Sequence, residues 1–129
     1  METNKLSGYI EVEIGGKVRP IKFGMGAWKI FTDATGKQLD NIGEINWIEF
    51  SGAIIYAGLM QAALVSGRAR DFSIELVYDW LDELPDESYK AIMKTLADSR
   101  VLGRTFKDLL KTQQADEPDK KKVKKPLQK

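Results

Sequence analysis

Apolar and polar positions alternate at the start of the chain. In GYIEVEI, residues 8–14, Ile10, Val12 and Ile14 fall on one face and Tyr9, Glu11 and Glu13 on the other. A period of two predicts a strand. Gly15-Gly16 is a turn signal, and KVRPIKF (17–23) reads as the return strand, so a hairpin is expected over about 8–23. A two-residue turn would set Ile14 opposite Lys17. A three-residue Gly-Gly-Lys loop sets Ile14 opposite Val18, matches apolar to apolar, and is the expected register. Pro20 lacks an amide hydrogen, so its strand is an edge or carries a bulge there. The shift from Val18 to Ile21 and Phe23 favours the bulge.

The period then changes to that of a helix. Over about 25–35, Ala27, Trp28, Ile30, Phe31 and Ala34 form one broad face, and Gly36 is a C-terminal stop. A second helix begins at Asn46, with Glu49 three residues on as an Asn variant of the capping box, and runs to Ser66 before Gly67. A third starts at Ser73, in SIELVYDWLDEL, and ends at Pro85 or hands over to the next there. A fourth, ESYKAIMKTLADSRVL, is expected to reach Gly103, followed by a short amphipathic piece, RTFKDLLKTQQ. The expected fold is α+β and mostly helical, a single domain over 1–114 with its hairpin first.

Composition changes after Gln114. The segment 115–129 holds two Pro, no aromatic residue and six Lys. It has too little apolar surface to order itself and reads as a disordered basic tail. Its six Lys oppose Asp116, Glu117 and Asp119, a net +3, which leaves 1–114 at −2 within a whole-chain +1. No global field steers such a chain to nucleic acid or an anionic membrane. There is no Cys and no His, which removes disulfides, thiolate nucleophiles, Cys/His zinc sites and the usual proton-transfer side chain. METNKLSGYI has no apolar core of signal-peptide length, so a cytoplasmic location is expected.

The stretch IKFGMGAWKIFTDATGK (21–37) raises the question of phosphate binding. A dinucleotide fingerprint needs a third glycine where Lys29 stands, and a P-loop needs glycine where Phe31 stands and Ser/Thr where Gln38 stands. Both motifs fail, and helix punctuation accounts for the glycines. The acidic run Asp79, Asp82, Glu83, Asp86, Glu87 straddles a helix end and the next helix start, where carboxylates favour solvent and the macrodipole. A structural role is expected over metal or acid–base chemistry. No cofactor, metal, small-molecule substrate or enzymatic activity is expected.

The apolar segment WIEFSGAIIYAGLMQAALV (47–65) is long enough to span a bilayer, but Glu49 and Gln61 interrupt it, and a buried central helix is expected instead. Glu49, Ala53, Tyr56, Met60 and Ala63 lie along one stripe at spacings of 4, 3, 4 and 3, a seam suited to another helix. Trp47, Phe50, Ile54, Ile55, Leu59 and Leu64 make the other faces apolar too. Such a helix is either wrapped by its own domain or offers one side to a partner, with Ala53, Tyr56, Met60 and Ala63 as the candidate contacts. The hairpin edge, 17–23, is a competing contact site.

The order of elements resembles the tail assembly chaperones of long-tailed bacteriophages and their gene-transfer-agent relatives. The likeness covers about 8–112 and is carried by GGKVRPIKF, GMGAWKIFTDATGK, FSGAIIYAGLMQAAL and DFSIELVYDWLDELP. The resemblance implies a non-enzymatic protein of the host cytoplasm. It would bind the long helical tape-measure protein, keep it soluble while tail-tube subunits polymerise around it, and be absent from the finished virion. It also implies a longer frameshifted form of the chain itself, with which Lys120, Lys121 and Lys122 are compatible as an A-rich codon run. The alternatives are a structural virion component, such as a tail-tube or head–tail joining protein, and a small nucleic-acid-binding regulator using the Lys tail.

Overall fold

The computed structural model describes residues 8–37, 44–68, 70–101 and 103–108. Two strands, β1 (Tyr9–Ile14) and β2 (Lys17–Lys22), form an antiparallel hairpin. Helices α1 (Met25–Thr35), α2 (Trp47–Ser66), α3 (Ile74–Leu81) and α4 (Asp86–Asp98) follow, then a two-residue ladder of β3 (Arg100–Val101) and β4 (Arg104–Thr105). The fold is α+β and mostly helical, as the periodicity predicts. The segment 115–129 lies outside the described residues.

The hairpin departs from the expected register. Ile14 pairs with Lys17 and Glu13 with Val18, across a two-residue turn. Gly15 and Gly16 have φ of 65° and 88°, the paired left-handed geometry whose twist matches the strands. Ladder pairing is regular through Pro20, which sits opposite Glu11 without a bulge. Counting from the tight turn, Pro20 falls at a widely spaced pair, where a residue's amide points away from the partner strand and a missing hydrogen costs nothing. The Phe23 amide donating to the Gly8 carbonyl at 2.6 Å closes the ladder with the same parity. Apolar matching misleads here because the inward face of β2 carries a charge: Arg19 is only 7% exposed, while Val18 is 60% exposed.

Arg19 is fully engaged where it lies. Its Nε donates to the Ile14 carbonyl at 2.8 Å and its Nη2 to the Gly15 carbonyl at 3.2 Å. Its Nη1 meets Asp71 Oδ1 at 2.7 Å, and the guanidinium lies over the rings of Trp80, 4.4 Å from the centroid, and Phe72, 5.9 Å away. The group thus ties the turn of the hairpin to the segment entering α3. Hydrogen bonds from Arg19 and Lys17 hold the Asp71 carboxyl at about 2, below its ordinary 3.8. Because the folded form is the more acidic, this contribution is present above about pH 4 and is lost as pH falls through 3.8 toward 2. Urea midpoints should therefore drop over that window, and Asp71→Asn should flatten the drop; an unchanged slope would assign the acid sensitivity elsewhere.

The helix ends follow local chemistry. Asn46 accepts from the Glu49 amide at 2.8 Å, and Ser73 accepts from the Leu76 amide at 3.2 Å. Gly36 and Gly67 close α1 and α2. Asn46→Ala should lower stability by about 1 kcal/mol, read as a shift in denaturant midpoint at constant slope. Two ends differ from expectation. Helix α3 stops at Leu81, with Asp82–Leu84 turning before Pro85, the N-cap of α4. Helix α4 stops at Asp98, not Gly103: buried Ser99 turns its hydroxyl onto the Leu96 carbonyl at 2.6 Å, and Arg100–Val101 enters the second ladder. Arg104 and Thr105, assigned to an amphipathic piece by their spacing, form β4.

The long helix α2 is the axis of the domain. It packs against α1, β2 and α3, while α4 packs on β1. Ser51 to Ala63 is buried apart from Tyr56, Met60 and Gln61, which are half-buried. Glycines allow this close wrapping. A Cβ at Gly52 would sit in the Tyr78 ring, one at Gly58 would meet Ile21 and Phe23, and one at Gly26 would collide with Gln61. Gly26 of the GMG stretch is thus a helix-packing position.

Candidate binding groove

Where the sequence places a partner seam, the domain has mostly closed over it. Ala53 is fully buried and Ala63 is 5% exposed. Tyr56 packs edge-on against Phe72, with centroids 6.0 Å apart, and the Met60 sulfur is 3.7 Å from Arg70 Nη1. Tyr56 and Met60 keep partial exposure, but the stripe as a whole faces its own domain. Lys120, Lys121 and Lys122 lie outside the described residues.

The exposed apolar surface of α2 is at its two ends. At the C-terminal end Leu64 is 53% and Val65 60% exposed. They lie one turn beyond Gln61, against which Gly26 packs, so exposed Met25 belongs to the same end of the molecule. At the N-terminal end Trp47 is 63% and Ile48 73% exposed.

The N-terminal end is built into a concavity. A cleft of about 620 Å³ is lined by Trp47, Ile48 and Ser51 of α2, by Tyr78, Asp79, Leu81, Asp82 and Leu84 of α3 and its exit, and by Asp86 and Tyr89 of α4. Its aromatic side chains are held from behind. Trp47 stacks on Phe50 with centroids 6.1 Å apart and meets Tyr89 edge-on at 6.0 Å. The Tyr89 hydroxyl is 3.0 Å from Ser51 Oγ, and the Tyr78 hydroxyl donates to the Glu49 carbonyl at 3.4 Å. Burial, and then the charge of Glu49, raise the Tyr78 phenol above its ordinary value.

Carboxylates rim this aromatic floor. Asp86 is paired with Lys90 at 3.2 Å, whereas Asp79 and Asp82 have no cationic partner among the described residues. No group of three or more acidic residues among the described residues is arranged to hold a metal ion. The arrangement suits an apolar ridge flanked by cations, with rings taking the apolar part and carboxylates the charges. Ile48, Tyr78 and Tyr89 are absent from the sequence-derived candidates. The available signal is an adjacent Trp-Ile pair directly after an N-cap, where a helix entering its core would carry polar residues.

A second cleft, about 480 Å³, lies between β2, the end of α2 and the segment before α3, lined by Lys17, Val18, Arg19, Pro20, Leu59, Ala63, Arg68, Asp71 and Phe72. Its central charges, Arg19 and Asp71, are committed to each other and to the hairpin turn. No family model, curated protein or solved structure matches the chain.

Proposed function

We propose that this chain is a bacteriophage tail assembly chaperone, a non-enzymatic protein that binds the helical tape-measure protein in the host cytoplasm and leaves before the virion matures. The supporting observation is the groove at the N-terminal end of α2. Trp47 and Ile48 are more than half exposed, yet they sit between two tyrosines anchored by hydrogen bonds. A monomer with no partner gains nothing from holding two large apolar side chains in water beside a preformed aromatic wall. A helix laid into the groove with one apolar stripe would cover both. The contact face proposed here is therefore this groove, with half-buried Tyr56 and Met60 as the remnant of the seam.

The test is retention from the producing cell by an N-terminally tagged chain, identified by mass spectrometry. A very long helical protein should co-purify, and Ile48→Glu should reduce its recovery at least about tenfold while circular dichroism is unchanged. Stoichiometric presence in mature particles would replace the proposal with a structural virion role. Salt-dependent DNA binding abolished by deleting 116–129 would replace it with a nucleic-acid regulator.

A further inference from the structure

We propose that in the free protein this groove is occupied by the chain's own basic segment, Lys120–Leu127, which a partner must displace. The inference rests on the groove being the binding face. Three observations carry it.

The first is charge. Asp79 and Asp82 on the rim have no cationic partner among the described residues, and exposed Glu83 adjoins Asp82 as exposed Glu87 adjoins Asp86 in sequence. The segment KKKVKKPL offers five lysines over residues 120–127, with Val123 and Leu127 among them as apolar contacts for Trp47 and Ile48. The second is place. Phe106, near the end of the described chain, stacks on Trp28 at 4.8 Å; Trp28 is 6.5 Å from Phe50, and Phe50 is 6.1 Å from Trp47. The groove therefore lies three ring-to-ring steps from where the tail departs. The third is length. Residues 107–119 in extended form span up to roughly 40 Å, ample for that path. A tether of this kind holds the lysines at an effective concentration in about the millimolar range, so weak contacts suffice.

The absence of cysteine makes the test clean. A nitroxide on Gln128→Cys in the full-length chain should broaden the Trp47 indole resonance and the amides of Ile48, Tyr78 and Tyr89, leaving the amides of Leu64 and Val65, at the far end of α2, sharp. Asp79→Asn with Asp82→Asn, or about 0.5 M NaCl, should restore those signals. Uniform or absent broadening would overturn the proposal. So would broadening that appears only when labelled and isotopically enriched chains are mixed, since the occupant would then be a second copy's tail. No partner is present in this measurement, so it stands or falls separately from capture of a tape-measure protein.

Discussion

Replacing Phe31 by alanine is expected to cost about 3–5 kcal/mol of folding free energy, the largest loss from any single truncation proposed here. Phe31 is fully buried. Its ring meets Trp28 edge-on at 5.1 Å and Phe50 edge-on at 5.8 Å, so it joins α1 to α2. Removing it forfeits the transfer energy of the ring and leaves a cavity. The aromatic neighbours are poorly able to fill that cavity, since Trp28 is itself held against Phe106. Total stability of a domain this size is on the order of 5–15 kcal/mol, so much of the margin would disappear. Phe31→Leu should lose only about 1–2 kcal/mol. Chemical denaturation at a fixed temperature reads both, and equal losses for the two variants would contradict the cavity argument.

Arg19→Ala is expected to lose about 3–4 kcal/mol, for a different reason. The side chain fills space between Trp80 and Phe72, and its Nε and Nη2 are the donors to the carbonyls of Ile14 and Gly15. Truncation removes the packing and strips the buried Ile14 carbonyl of its side-chain donor. Arg19→Lys should recover only part of the loss, because an ammonium cannot reach two carbonyls and a carboxylate in one plane. Asp71→Asn should be milder than either, since Asp71 is about half exposed and water can take over its role. If Arg19→Lys matched the wild type in denaturant, the planar fork would not be what the hairpin turn requires.

How much of this was legible beforehand depends on how local the cause was. Asn46, Ser73, Gly36 and Gly67 act on backbone groups within a turn of themselves, so their spacing alone placed the helix ends. The hairpin register was not legible. An arginine on an inward face looks like an error until Asp71, 52 residues away, is seen beside it. The end of α4 was hidden because SRVL continues the helical period, and only the pairing of Arg100–Val101 with Arg104–Thr105 breaks it. The stripe on α2 was a correct description of the helix and a poor guide to its surroundings. A helix apolar all round gives no periodic sign of which side stays bare. Trp47 and Ile48 are bare because α3 and α4 leave a gap at that end, and this is a property of tertiary packing.

The wrapping of α2 also bears on how the protein is made. The apolar helix is complete once Ser66 has been synthesised, but α4, which closes on β1, and Phe106, which stacks on Trp28, come later. At roughly 5–20 residues per second, several seconds separate these events on the ribosome. During that interval the nascent chain carries its most apolar helix with α1 and β2 against it but with the rest of its cover still to come. A stalled or prematurely terminated product ending before α3 would lack one of the three elements that pack on that helix, and would be a natural client for the host's own chaperones and proteases.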